Sequence, residues 1–261
     1  MRDSQTSTRN PDIKDWTSKY QKRTNLQFFN DAFAALRKQQ IGNRGLMTVG
    51  LVGSRDLPGH TLRMAQSILR WDLRPSYWSH VFVVAEPVTT RTSLSGLNIL
   101  EIPLFPRNGQ FPKPEHNGVN EGTLGQYDNK QVDANVGLFS VTLSEDESKQ
   151  LVKRAKDWNT DRVRYNFWNM LGAWQGYLWS QGAKPNPLRE GIPIPASSYI
   201  EFIFEKLGLG VTPGASSHNS APEHLWNAAC WWHKAFKEDN RKIAGMFVAR
   251  DPGCAMLRPN E

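Results

Sequence analysis

Residues 192–208 read IPIPASSYIEFIFEKLG, and a helix is expected to begin in the middle of this stretch. From Ser197 onward, apolar residues recur with the period of 3.6 residues that is typical of one buried α-helical face; they are Tyr199, Ile200, Ile203, Phe204 and Leu207. Two prolines, Pro193 and Pro195, prevent an earlier start. Residues 196–198 therefore form the first turn, where free backbone N–H groups and the helix dipole favour a nucleophile or an oxyanion.

Composition limits the classes of protein to which the chain can belong. Its 261 residues are enough for one large domain, or one domain with extensions. No run of ~18 apolar residues indicates a membrane span. The polar first residues do not resemble a signal peptide, so we expect synthesis in the cytoplasm. Metal-ligand spacings of cysteine and histidine are absent, as are nucleotide-binding glycine motifs, so we expect no metal and no cofactor.

The chain is basic, with a formal net charge of +7. This charge favours polyanionic surroundings such as anionic lipid or a bacterial wall, although many ordinary globular proteins are equally basic. No basic run is interleaved with aromatic residues in the manner of a nucleic-acid interface, so we expect no nucleic-acid partner.

The order of apolar runs indicates two regions. Residues 1–45 are expected to form an N-terminal arm, loose to residue 24, and an accessory helix at 25–40. Residues 46–261 are expected to form the main α+β domain, with strands at 46–52, 81–85, 98–102, 137–143 and 243–248. A helix is predicted at 61–71, after a turn at 54–59, and residues 103–133 are predicted to be a long loop. Capping boxes are predicted at Ser144 with Glu147 and at Ser220 with Glu223.

Two polar residues stand out in the predicted strands. His80 begins a strand that is otherwise apolar, and Glu101 is the one charge in the next strand. If these strands form a hairpin, Glu101 lies beside His80 and orients its imidazole for general-base chemistry. The alternatives are a structural histidine and a carboxylate that faces solvent.

The order of short motifs resembles the circularly permuted NlpC-type papain-like superfamily, the branch related to lecithin:retinol acyltransferase-like proteins. The matching segments are LMTVGLV, SHVFVV, NILEI, LSEDE, YNF, the helix after residue 196, and SAPEHL. The resemblance covers about residues 46–226. It implies a permuted papain-like fold, with an antiparallel sheet packed against helices and a nucleophile at a helix N-terminus.

The nucleophilic cysteine of that family aligns with Ala196, and an alanine methyl group cannot attack a carbonyl. Either the chain is a natural pseudoenzyme, or it is an inactivated variant of an active enzyme. With a cysteine at this position, His80 would accept the thiol proton and Glu101 would orient His80. Backbone amides at the first turn, with Ser197 and Ser198 and with the Tyr165 hydroxyl, would bind the oxyanion. Cys230 is the competing nucleophile, although a buried inert thiol is the more ordinary interpretation.

Three functions remain open. The first is a cysteine hydrolase that cleaves an amide bond in peptidoglycan peptides, as a secreted antibacterial effector does. It would need a dedicated secretion system, and an inhibitor (immunity) protein would be its partner in the producing cell. The second is a lipid acyl hydrolase or acyltransferase whose tryptophan-rich segment 168–179 contacts a membrane surface. The third is a non-catalytic module that binds a ligand in the same cleft.

Overall fold

The computed structural model describes residues 13–39, 45–86, 93–103, 119–157, 196–205, 208, 210–212, 220–235 and 243–255. These residues form a mixed α+β fold around one sheet of seven strands. The strands are β1 (Ile13–Asp15), β2 (Gly45–Ser54), β3 (His80–Val84), β4 (Asn98–Glu101), β5 (Asn120–Thr123), β6 (Asp133–Leu143) and β7 (Ile243–Ala249). The described helices are α1 (Asn25–Gln39), α2 (Leu57–Ala65), α3 (Glu145–Asp157), α4 (Ala196–Glu205) and α5 (Pro222–Ala235). The coarse α+β class is confirmed.

The sheet has the strand order β1-β7-β6-β2-β3-β4-β5. Strands β2 to β5 form an antiparallel meander, and β2 also pairs antiparallel with β6. The pairing of β1 with β7 is parallel, which differs from the wholly antiparallel sheet that was predicted. The meander makes β3 and β4 neighbours in the sheet.

Helices cover both faces of the sheet. Since side chains alternate along a strand, Val81 and Val83 of β3 point to one face and Phe82 points to the other. The first face packs in one apolar cluster with buried residues of α3, α4 and α5, and we call it the α4 face. The second face packs with Phe28, Phe29 and other residues of α1, and we call it the α1 face.

The N-terminal arm is part of this fold from residue 13 onward. Strand β1 pairs with β7, and Tyr20 is only 2 % exposed within the apolar cluster of the α1 face. The prediction of a loose arm is therefore wrong for residues 13–24. The polar composition of this segment gives no sign of its short edge strand or of the buried Tyr20. The helix predicted at 25–40 is present as α1. The division of the chain at residue 45 stays a prediction.

The predicted long loop at 103–133 is also wrong in its second half. Residues 120–123 form β5 against β4, residues 124–127 form a 3₁₀ turn, and β6 begins at Asp133. The sequence of β5 is NEGT, which lacks the β-branched apolar run that predicts a strand. Its pairing with β4 forms this strand in spite of its composition.

Helix ends follow local hydrogen bonding. The capping box at α3 is confirmed, because Ser144 N donates to Glu147 Oε2 at 2.8 Å and Glu147 N donates to Ser144 Oγ at 3.2 Å. Helix α2 begins at Leu57 rather than in the predicted region after residue 60, since the Asp56 carboxylate caps Gly59 N at 2.9 Å.

The capping box predicted at α5 is wrong. The Glu223 carboxylate accepts instead from the Ser76 hydroxyl at 2.6 Å, and Glu223 N donates to Gln66 Oε1 at 2.9 Å. The carboxylate that the pattern assigned to a local cap therefore ties α5 to the segment before β3.

Asn25 offers a test of how α1 is fixed to the sheet. Its buried side-chain amide donates to the carbonyl oxygens of Tyr127 and Asp133, both at 2.8 Å. Replacing Asn25 with alanine leaves both carbonyls without these donors, so we expect the free energy of unfolding to fall by about 2 to 4 kcal/mol. Urea denaturation measures this change. Asn98→Ala, at an exposed side chain, is the matched control and should change stability by less than about 0.5 kcal/mol; equal effects for the two variants would contradict the assignment.

Candidate active site

His80 and Glu101 lie side by side on the α1 face of the sheet. His80 Nε2 is 2.8 Å from Glu101 Oε2, which confirms the contact that was predicted from a β3–β4 hairpin. Glu101 is only 5 % exposed, whereas the His80 side chain is 15 % exposed. The pair thus combines a buried carboxylate with an imidazole that keeps some access to solvent.

Both oxygens of the Glu101 carboxylate are hydrogen-bonded. Gln126 Nε2 donates to Oε1 at 2.8 Å, and the Tyr127 hydroxyl donates to Oε2, the same oxygen that contacts His80. Burial by itself raises the pKa of Glu101, but the contacts with His80, Tyr127 and Gln126 outweigh burial and hold this pKa below its ordinary value of 4.5. The carboxylate is therefore ionised at neutral pH.

The charge of Glu101 fixes the tautomer of His80. An ionised carboxylate is only an acceptor, so the Nε2 atom of His80 must carry the proton and donate it to Oε2. In the neutral imidazole the lone pair is then on Nδ1. No residue in the described part of the chain forms a hydrogen bond with Nδ1. The arrangement leaves Nδ1 as the acceptor atom of a neutral imidazole and places a negative charge beside the ring.

Aromatic packing holds the pair of His80 and Glu101 in place, and we call this pair the dyad. The Tyr127 ring stacks on Phe82 with centroids 5.0 Å apart and an interplanar angle of 11°. Phe82 lies opposite Gly50 of β2, where a Cβ atom would come within 2.1 Å of the Phe82 ring. The glycine makes room for Phe82, and Phe82 in turn supports the ring whose hydroxyl reaches Glu101.

Ala196 is the first residue of α4, as predicted, but it belongs to the other face. It is 3 % exposed and packs in the apolar cluster that includes Val81 and Val83. Because His80 precedes Val81 and pairs with Val52, whose side chain is in the cluster of the α1 face, its imidazole points away from α4. The structure therefore brings His80 and Glu101 together and does not bring the Ala196 methyl group to the same face of β3. The role of Ala196 as the nucleophile position stays a prediction.

The two predicted oxyanion serines are in the first turn of α4 and are buried. The Ser197 hydroxyl donates to the carbonyl oxygen of Ser220 at 2.6 Å, so it ties the start of α4 to the segment before α5. Ser198 Oγ has no hydrogen-bond partner among the described residues.

The remaining predicted site residues are accounted for as follows. Tyr165 and the tryptophan-rich segment 168–179 lie outside the described residues. Burial raises the pKa of the Cys230 thiol to about 12, which disfavours the thiolate form. Cys254 is buried beside the Arg63 guanidinium, with Nη1 of Arg63 2.9 Å from its sulfur, and burial raises its pKa as well. Neither cysteine has the features of an activated nucleophile.

Gln126 and Tyr127 are the residues that sequence reasoning missed. Both lie in the region that was predicted to be a loop, and neither is part of a recognised motif. The available signal was the spacing of Leu124 and Tyr127, two apolar residues three positions apart in a polar stretch, which is typical of one buried side of a 3₁₀ turn. The side chains of Leu124 and Tyr127 are both buried in the structure.

Comparison of the chain with known protein-family models, with curated proteins and with solved structures found no match. The resemblance to the permuted papain-like superfamily accordingly stays a prediction. Within the described parts of the chain, no helix has the length and apolar character needed to cross a bilayer. The same parts contain no cluster of histidine, cysteine and carboxylate side chains arranged to hold a metal ion.

The lowered pKa of Glu101 has a consequence for stability against acid. A carboxyl group whose pKa is lower in the folded than in the unfolded state stabilises the fold above the unfolded value, and this stabilisation is lost as pH falls through the folded value. We expect Glu101→Gln to be less stable than the wild type at neutral pH by about 2 kcal/mol, because the amide is a weaker acceptor for His80 and Tyr127. The difference should shrink by about 1 kcal/mol or more between about pH 5 and pH 3.

Urea denaturation at several pH values measures this difference. Glu121→Gln, at an exposed carboxylate of β5, is the control and should change stability at neutral pH by less than about 0.5 kcal/mol. A constant difference between Glu101→Gln and the wild type at all pH values would contradict an ionised Glu101.

Proposed function

We propose that this chain has the framework of a papain-like cysteine hydrolase of amide bonds, with a peptidoglycan peptide as substrate, and that it is inactive as it stands because Ala196 occupies the nucleophile position. The observation that carries the proposal is the contact of 2.8 Å between His80 and the buried, ionised Glu101. A buried carboxylate whose two oxygens both accept hydrogen bonds, one of them from an imidazole, is typical of a general-base site.

The hydrolase requires an arrangement of α4 and β3 that differs from the one described, in which a thiol at position 196 reaches the imidazole of His80. In that arrangement His80 Nδ1 would accept the thiol proton while Glu101 stabilised the resulting imidazolium. The thiolate gains further from the positive end of the α4 dipole. It attacks the substrate carbonyl, and backbone N–H groups of the first turn of α4 bind the oxyanion, with Ser198 beside them. The C–N bond then breaks, and the His80 imidazolium gives its proton to the leaving amine. Water attacks the resulting thioester with His80 as its base, which releases the carboxylic acid and restores the thiol.

The substrate class follows from charge and from the family resemblance. The net charge of +7 suits a polymer that carries carboxylates, and peptide stems of a bacterial wall are such a polymer. Action on a wall would require export by a dedicated secretion system. An inhibitor protein in the producing cell would be the expected partner of an active form.

A second function, that of a non-catalytic binding module, is favoured by one observation. The Ala196 methyl group packs among apolar side chains on the α4 face, whereas the imidazole of His80 is on the α1 face. If the two never meet, the dyad serves as a hydrogen-bonding site for a ligand: Nδ1 accepts from the ligand, and the neighbouring carboxylate keeps the imidazole in that tautomer.

The variant Ala196→Cys distinguishes the two functions. If the thiol meets His80, we expect the variant to release peptide fragments from purified sacculi, which the wild type does not. The double variant Ala196→Cys, His80→Gln should be slower by about 10²-fold or more. Ala229→Cys, at another fully buried alanine in α5, is the control for a cysteine that is merely buried.

Thiol alkylation at neutral pH provides an independent measurement. The thiol of Ala196→Cys should react with iodoacetamide at least about tenfold faster than that of Ala229→Cys, and the His80→Gln change should remove the difference. A folded Ala196→Cys variant that cleaves no sacculi and reacts no faster than the control would refute the hydrolase and leave the binding module. Cleavage of phospholipid vesicles instead of sacculi would identify the lipid acyl hydrolase.

A further inference from the structure

Exposed apolar side chains are concentrated in one segment. Among the residues that the structure describes, six large hydrophobic side chains are exposed, and five of them lie within residues 57–73. We call these five the apolar patch: Leu57, Met64, Ile68, Trp71 and Leu73. Trp71 is the most exposed of them, at 94 %. Such clustering of large apolar side chains in water marks an interaction surface rather than scattered surface hydrophobicity.

The patch is produced by the two-sided character of α2. Leu62 and Ala65 face the protein interior and are buried, whereas Leu57 and Met64, seven residues apart, share the outward side. Ile68 continues this side in the 3₁₀ turn Ser67–Leu69. The outward side of a helix that already buries its other side is free to bind a further surface.

The turn after this helix holds Trp71 and Leu73 outward. The Asp72 carboxylate accepts from the Arg70 side chain at 2.9 and 2.7 Å, and from Arg74 N at 3.1 Å. Leu73 has a φ of 52°, in the left-handed region that residues with a Cβ atom rarely occupy. The turn thus keeps an unfavourable backbone conformation at a leucine that is 68 % exposed and gains nothing from burial in the protein.

Charge indicates which surface the patch meets. The chain carries a net charge of +7, although three of the four arginines in residues 55–74 are hydrogen-bonded or paired within the protein. Arg70 is paired with Asp72 and Glu223, while Arg74 is exposed and takes part in no ion pair among the described residues. Tryptophan and leucine side chains beside an available arginine suit the boundary between headgroups and acyl chains of an anionic bilayer.

We propose that the apolar patch docks this protein onto an anionic lipid surface. Trp71 and Leu73 enter the headgroup boundary, Leu57, Met64 and Ile68 lie along it, and Arg74 faces the lipid phosphates. Residues 73–80 connect the apolar patch to the start of β3. The Arg63 side chain of α2 holds this connection in place, because its Nε donates to the Ser76 carbonyl oxygen at 2.7 Å. Docking therefore involves a rigid segment of the fold, and it does not depend on the function proposed for the dyad.

Vesicle flotation tests this proposal with the full chain. The wild type should float with vesicles of phosphatidylcholine and phosphatidylglycerol, float much less with phosphatidylcholine alone, and lose binding as NaCl is raised. The double variant Trp71→Ser, Leu73→Asn should bind the anionic vesicles at least about tenfold more weakly. Asparagine tolerates a positive φ and both replaced side chains are exposed, so thermal unfolding should show an intact fold.

Trp231→Ser is the matched control, since Trp231 is 55 % exposed but lies on α5, outside the patch. It should leave vesicle binding unchanged. Failure of the wild type to bind anionic vesicles, or equal binding by the double variant and the wild type, would overturn the proposal. So would a concentration-dependent dimer in analytical ultracentrifugation that the double variant abolishes, because the patch would then be covered by a second copy of the chain.

Discussion

The carboxylate of Glu101 is the constraint around which one half of the fold is arranged. Removing a negative charge from water is expensive unless hydrogen bonds replace the lost hydration. Three side chains from two parts of the chain supply them: His80 from β3, and Gln126 and Tyr127 from the turn after β5. All three donors must therefore lie within hydrogen-bond distance of Glu101, and the pairing of β3, β4 and β5 places them there.

The apolar neighbours of this carboxylate explain why it is held so rigidly. Tyr127 stacks on Phe82, Phe82 lies over Gly50, and the rings of α1 complete the cluster on the same face. Close packing leaves these rings few alternative positions, so the hydroxyl of Tyr127 has little freedom to leave the carboxylate. The packing of the apolar cluster on the α1 face therefore fixes the geometry of the hydrogen bonds to Glu101.

The sequence predicts the parts of the fold that have strong local patterns. The apolar runs give β2, β3, β4, β7 and the second part of β6, and the pairing of neighbouring strands brings Glu101 to His80. The polar strand β5 and the edge strand β1 were missed, because tertiary pairing overrides their weak propensity. The face of β3 on which His80 lies was not considered, although the alternation of the apolar run HVFVV determines it. That omission matters most, since it decides whether Ala196 and the imidazole can meet.

The parallel pairing of β1 with β7 constrains how the protein is made. These two strands lie at opposite ends of the described chain, and β1 pairs with no other strand in the part of the chain that the structure describes. On the ribosome, the residues of β1 emerge before those of β7, so β1 can pair only after the whole segment between the two strands has been synthesised. The Trp16 ring contacts Phe247 of β7, so the side of the ring that makes this contact stays exposed until β7 is in place. Closing contacts of such long sequence separation is slow, so the edge of the sheet at β7 is completed late in folding.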